Sequence, residues 1–401
     1  MSALTLDSLY ALRKAGEYSA PAKASDVLPV LFGDLTENSG DAAITPCVCL
    51  NTTTHVYAIS GRAILSALNG NTFRFWDEDG DEITSSHYTV QTAVDYEDLG
   101  TIATVTCDAD YGEISAQCKG AIDANGTLIT NPIEIFTEIV GDTASFDRTS
   151  LLKATVQAND LGYVAAGAIT SEHQYKTWLN NLASSFLIDW ILGPDGTIRL
   201  RVDSSTITGL QPAFFLRERE TTRVEAFQYA DHIRNQVGVY YAPSYATRDR
   251  RFREGVNANY LQYDDGESTK DVNSIRRYGL RDYPSLELDW CRNTASVQIL
   301  QARLIERFAN PFWLIQWDEL SKQAMYANVG DFGVYAWRHR IDADGNPMTN
   351  RYVQVLEKAI PLVGGGIQLY LRETTMPYST VINYWDGTDQ TLGDGQKWGG
   401  G

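Results

Sequence analysis

Residues 131–140 read NPIEIFTEIV, and within them the periodicity of the chain changes. Asn131 has the side chain of a helix N-cap, Pro132 suits the first helical position, and Ile133, Phe136 and Val140 recur at helical spacing. A helix is expected to begin here. Upstream, from Leu28, the pattern is different. Short apolar runs at 28–32, 47–50, 55–59, 72–76, 87–92, 101–107 and 113–119 are separated by turns such as Asn69-Gly70-Asn71 and Asp79-Gly80-Asp81. Runs of that length, with residues between them that tolerate positive φ, predict a barrel or a sandwich.

Downstream the helical pattern continues. A second helix is expected over about 149–159. A third starts from Ser171, where Tyr175, Trp178, Leu179, Leu182, Ala183 and Phe186 share one face. Phe186 to Leu192, the turn Gly193-Pro194-Asp195-Gly196, and Thr197 to Val202 read as a hairpin whose Ile198, Leu200 and Val202 alternate inward. Three helices and a hairpin make a small α+β segment. Strand patterns return at 226–229 and 235–241. They are followed by a polar stretch, 243–281, that reads as a long loop carrying Arg248, Arg250, Arg251 and Arg253. Those arginines suit either an acidic partner surface or a plain solvated face. A helix over 294–308 carries Val297, Leu300, Leu304, Ile305 and Phe308 on one stripe and stops at Asn310-Pro311. More sheet follows at 312–317, 331–338, 351–359 and 366–372, with a hairpin tip at 342–347 and a turn at 364–366. Residues 1–28 read as an arm, and the Gly-rich 377–401 as a flexible tail.

Composition narrows the function. With 51 acidic against 33 basic residues the formal charge is -18, so a phosphate backbone is repelled rather than held, and no specific nucleic-acid binding is expected. No run reaches the ~20 apolar residues that span a bilayer, and the first twenty residues lack the apolar core of a signal sequence. Five cysteines, Cys47, Cys49, Cys107, Cys118 and Cys291, follow no disulfide framework, which fits synthesis in a reducing cytoplasm. Cys47 and Cys49 fall on one face of a strand and read as small buried apolar residues rather than zinc ligands.

Catalytic signals are missing from the sequence. His55, His87, His173, His232 and His339 are scattered, and no nucleophile elbow, phosphate loop or dinucleotide fingerprint occurs. Asp77, Asp79 and Asp81 resemble the start of a calcium loop, but Glu82 stands where Gly is required and Tyr88 where Glu is. Asp342, Asp344 and Asn346 fail in the same way, with Pro347 and Val353 at those places. No catalytic, cofactor-binding or metal-binding residue is therefore assigned, no cofactor is expected, and the chain reads as a non-enzyme. Two alternatives stay open. Trp313, Trp317, Tyr335, Trp337, Tyr352, Tyr384 and Trp385 could stack sugars in a receptor- or glycan-binding module, although such residues more often pack barrel walls or subunit seams, and any two of the carboxylates could form a glycan hydrolase.

Several segments resemble the tail-tip or baseplate hub proteins of tailed bacteriophages. Leu28 to Asp34, Pro46 to Leu50 and Val56 to Ile59 resemble the opening of that family's first barrel. Asn131 to Phe136, Ser171 to Phe186 and Ile188 to Arg201 resemble its inserted domain. Asn235 to Tyr241, 294–308, Asn310-Pro311-Phe312, Val329-Gly330-Asp331 and Val353 to Glu357 resemble its second barrel, finishing near Glu373. The resemblance implies a mainly β fold with an α+β insertion. It places two tail-tube-like β-barrel domains at 29–130 and 216–376, with the smaller mixed domain at 131–215. It further implies a homotrimer whose ring adapts a sixfold tail tube to a threefold tip and lines the DNA channel. The partners would be a distal tail or tube protein above and a tip or fibre protein below. The location would be the virion, after assembly in the bacterial cytoplasm.

Overall fold

A computed structural model describes residues 27–36, 44–96, 99–171, 173–193, 196–202, 214–217, 221–228, 233–245, 261–263, 270–319, 324–325, 327, 331–341, 347–360, 366–373, 390–391 and 397–398. Among the described residues strands take 42% and helices 25%, so the fold is mainly β with a helical minority. It divides into two compact units: 1–203 with 237–269 and 283–302, and 204–236 with 270–282 and 303–401.

In the first unit two four-stranded antiparallel sheets share one core. One sheet runs in the order Val48–Asn51, Val56–Ser60, Thr101–Cys107, Tyr88–Asp95. The other runs Thr45–Pro46, Ser115–Gln117, Arg74–Trp76, Glu82–Ile83. Alternation sends Tyr57, Ile59, Ala103 and Val105 from the first sheet against Phe75, Ile83 and Ala116 from the second. The Asp-rich stretch at 77–81 is a turn. The Asp77 carboxylate accepts the backbone N–H groups of Asp79 at 3.0 Å and Asp81 at 2.8 Å, which joins Arg74–Trp76 to Glu82–Ile83.

The helical segment begins where its cap residue dictates. Asn131 accepts the Ile133 N–H at 2.8 Å and opens the helix Pro132–Val140, which buries Ile133, Ile135, Phe136, Ile139 and Val140. The same side chain donates to Asn159 Oδ1 at 2.8 Å, joining this helix to the end of the next, Arg148–Asp160. Asn131→Ala is expected to cost about 2 kcal/mol, one part from the lost cap and one from the buried amide bond. A denaturant midpoint that stays unchanged would contradict that role. The third helix, Tyr175–Ser185, buries Trp178, Leu179, Leu182 and Ala183 as its spacing predicts. The hairpin Ile188–Leu192 with Ile198–Val202 buries Ile198, Leu200 and Val202.

Trp290 sits where these pieces of the first unit meet. It is 1% exposed, its ring centroid lies 6.2 Å from Phe32 and 6.5 Å from Trp178, and its carbonyl accepts the Ala166 N–H. Gly167 lies beneath it in the strand Gly167–Ile169, which pairs with Val30–Phe32. A Cβ on Gly167 would stand 2.5 Å from the indole. The core thus needs both the largest side chain and, directly against it, none.

The second unit is built round one curled six-stranded sheet. Its order is Phe214–Arg217, Phe332–Ile341, Pro347–Ala359, Ile367–Glu373, Trp313–Glu319, Thr221–Gln228, with the first pair parallel and every other pair antiparallel. If the sheet were flat, its outer strands would be about 24 Å apart. Yet only three residues separate Arg217 from Thr221, and they reach at most about 14 Å. The sheet must therefore curl until Arg217 and Thr221, on its two outer strands, come within that reach. Trp317 and Tyr335, both fully buried, fill the concave side with Phe214, Leu216, Val353, Val355, Leu369 and Leu371. Gly333 faces Phe214 directly, and a Cβ there would overlap the phenyl ring.

Lys358 fastens a further segment to this core. Its ammonium donates to the carbonyls of Met325 at 2.6 Å and Ala327 at 2.7 Å, while Ala324 and Ala327 are fully buried in the sheet's core. Lys358→Met is expected to destabilise the unit by about 1–2 kcal/mol and to speed amide exchange at Met325. Wild-type exchange there would contradict the fastening role.

Several expectations need correction. The stretch 243–281 is not one loop. It contains the strand Leu261–Tyr263 and the helix Val272–Tyr278, whose Asp271 cap accepts from Asn273 and Ser274. The strand Asp282–Leu288 was hidden by Pro284, a residue that belongs in an edge strand, and this strand does lie at an edge of a three-stranded sheet. The hairpin expected at 342–347 does join two antiparallel strands, Phe332–Ile341 and Pro347–Ala359, but Pro347 is the first residue of the second strand rather than part of the tip. The arginine cluster 248–253, the 342–346 and 364–365 turns, the arm 1–26 and most of the tail lie outside the described residues. Of the tail only the paired Gln390–Thr391 and Lys397–Trp398 are described.

Candidate assembly surfaces

The residues that could have served chemistry are mostly engaged in the fold. Burial raises the thiols of Cys47, Cys107 and Cys118, to about 11 for Cys107 and about 12 for Cys118, and all five cysteines are free. Thiols held protonated at neutral pH are poor nucleophiles. Cys47 and Cys49 both pack on the core of the first unit, but they do not share a strand: Cys47 lies between Thr45–Pro46 and Val48–Asn51, which belong to different sheets. Among the described residues no group of three His, Cys, Asp or Glu side chains could hold a metal ion. No helix among them is long and apolar enough to cross a membrane.

Among the described residues His87 and Asp108 form an imidazole–carboxylate pair, Nδ1 to Oδ2 at 2.7 Å, and Tyr111 donates its hydroxyl to the other carboxylate oxygen at 3.2 Å. The pair closes the end of the ladder between Tyr88–Asp95 and Thr101–Cys107, where Asp108 N–H also donates to His87 O. His173 stacks edge-on against Trp178. His232 and the side chain of His339 lie outside the described residues. Of the aromatic side chains able to stack sugars, Trp317 and Tyr335 are core residues, and Trp313 and Trp337 pack against the same core. Tyr384 and Trp385 lie outside the described residues.

Among the described residues three surface carboxylates have depressed pKa values. Arg74 holds Glu82 down through a two-pronged bond, His87 holds Asp108 down, and the backbone N–H of Thr127 leads in holding Asp123 down. A depressed carboxylate adds stability that is present above its unfolded value, about 4, and lost as pH falls through its folded value. Glu134, raised by burial and by Asp123 and Glu138, acts in the opposite sense. With three against one, the denaturant midpoint is expected to be lower at pH 3 than at pH 6. An equal or higher midpoint in acid would contradict this.

The remaining candidates for function are surfaces. In the first unit, Leu152 and Val156 stand one helical turn apart and are 58% and 56% exposed, while the same helix buries only Ala154 and Ala158. Leu68 is 98% exposed at the tip of a short turn. In the second unit Phe227, Met325, Leu356 and Ile360 are exposed. Three of the outer strands in the first unit are guarded. The outer strand Tyr88–Asp95 is bulged between Gln91 and Val94, and its Thr92 carbonyl already accepts from Ile64. Thr45–Pro46 and Glu82–Ile83 are two residues long. Scattered apolar side chains over guarded edges can carry side-chain-mediated protein contacts.

No protein-family model matches the sequence, and no curated protein matches it. A solved structure described as the tail protein from Neisseria meningitidis MC58 is similar at a TM-score of 0.32 and 12% sequence identity, over 76% of this chain and 96% of that one.

Proposed function

We propose that the chain is a structural subunit of a bacteriophage tail, specifically a tail-tip or baseplate hub protein, and that it is not an enzyme. In this reading three copies form a ring that joins a sixfold tube to a threefold tip and borders the DNA channel. A distal tail or tube protein docks above and a tip or fibre protein below. The copies assemble in the host cytoplasm and leave in the virion.

The observation that carries the reading is the filled curled sheet of the second unit. With Trp317 and Tyr335 fully buried inside it, that sheet offers no passage of its own, so any channel must lie between copies. The formal charge of -18 favours a channel wall that does not adsorb a passing polyanion. The two-sheet core and the helix–hairpin segment of the first unit also follow the order of elements that the hub resemblance implies.

The test is a phage carrying a nonsense mutation in this reading frame, grown in a host that cannot suppress it. The hub reading expects DNA-filled heads without completed tails, restored when the chain is supplied in trans. Complete particles that merely fail to adsorb would replace it with the receptor- or glycan-binding reading. Complete particles that adsorb but fail to clear cell-wall glycan would replace it with the hydrolase.

A further inference from the structure

The outer face of the helix Arg148–Asp160 is ordered in a particular way. At four-residue steps it reads Arg148, Leu152, Val156, Asp160, all four exposed, while Ala154 and Ala158 hold the inner side buried. Residues at that spacing form one continuous ridge on a helix surface. Its middle is apolar and its ends are charged. Both charges have the sign that a lone helix disfavours, because the N-terminal end with its free N–H groups prefers an acid and the C-terminal end prefers a base. Here the first helical residue is Arg148 and the last is Asp160, and the capping carboxylate of Asp147 offsets only the first. Among the described residues neither Arg148 nor Asp160 forms an ion pair.

We infer that this ridge docks on the same ridge of a second copy, with the two helices antiparallel. Reversal sets Arg148 against the partner's Asp160 and Leu152 against the partner's Val156, and the twofold repeats both matches. One operation thus satisfies two charge pairs and two apolar pairs. It also brings the partner's acid to the N-terminal end of the helix and the partner's base to the C-terminal end, the signs that the dipole calls for, and it opposes the two dipoles. Ridges of this kind interleave at a crossing of about 50°. A second copy is the occupant that the ridge itself specifies, since its charges are complementary to their own reversal. The contact is small. A helix of 13 residues is about 20 Å long, and one face of it covers less than the roughly 800 Å² per partner of a stable interface. Pairing is therefore weak and rises with concentration. It does not depend on the proposed ring.

The test is sedimentation of the full-length chain over a concentration series, for wild type, Arg148→Glu, Asp160→Arg and the chain carrying both. Each single reversal sets like charges together at both ends of the contact and should weaken pairing about tenfold. The doubly substituted chain, and an equimolar mixture of the two single variants, restore opposite charges and should pair as wild type does. Leu152→Asp, at an exposed position, should abolish pairing. Single variants that pair like wild type, or a mixture that pairs no better than its components, overturn the inference. So does a wild-type mass that stays constant with concentration, which leaves the ridge to a different protein. The dilute limit reports separately on the ring. Monomers that pair on concentration reject the ring and keep this contact, whereas trimers whose mass does not rise keep the ring and reject the contact.

Discussion

Trp290→Ala is expected to destabilise the first unit by about 3–5 kcal/mol, the range for removing a fully buried large aromatic side chain. The loss is not only that of transfer. The indole bridges Phe32 and Trp178 and covers Gly167, so three stretches distant in sequence lose their common contact surface at once. Collapse into the space is limited because Gly167 has no side chain to offer. The expected readout is a fall of roughly 10 °C in the melting temperature. Trp290→Phe should restore part of it by keeping an aromatic ring against Phe32. A variant melting within about 2 °C of wild type, less than 1 kcal/mol by the same conversion, would remove Trp290 from the centre of the unit.

Gly333→Val is expected to cost about 3 kcal/mol, the upper end for overpacking a core, and to act at one place. The new side chain occupies the space of the Phe214 ring, so Phe214–Arg217 loses its anchor while the other five strands keep their ladders. Amide exchange should rise along Phe332–Trp337 far more than along Ile367–Glu373, which lies in the interior of the sheet. A Phe214→Ala change made together with Gly333→Val should cost much less than the sum of the two alone, because both act on the same space. Uniform acceleration across the sheet, or full additivity, would show that the ring and the glycine are not coupled.

What could be read from sequence follows from which interactions are local. Asn131-Pro132 announced its helix because a cap and a first-turn proline are decided by neighbours in the chain. The hairpin at 188–202 and the helix at 294–308 were legible for the same reason, since alternation at Ile198, Leu200 and Val202 and the stripe from Val297 to Leu304 are visible without a partner. The helix 272–278 was not legible. Only Ser274 is buried, so it has no apolar stripe, and it is fixed instead by Asn235, whose amide donates to Ser274 and to the Gly279 carbonyl and accepts the Arg281 N–H. Strands of two residues such as Thr45–Pro46 exist only because a neighbouring ladder holds them.

Closure of the second unit's sheet was beyond local reading altogether. Nothing in Phe214-Phe215-Leu216-Arg217 indicates that it pairs in parallel with residues more than a hundred positions away, and the need for glycine at 333 appears only once Phe214 is opposite it. The surfaces were only partly legible. Trp317 and Tyr335 are core, the packing role such aromatics take more often than sugar stacking, and Leu152 and Val156 are exposed. Single-sequence periodicity shows which residues share a face; it does not show which face another element covers.

The most direct measurement of the central claim is the mass and symmetry of the purified chain, by light scattering on a sizing column and by negative-stain class averages. The account predicts trimeric rings with a central hole and pseudo-sixfold outline. A compact monomer without a hole, unchanged across concentration, would contradict it.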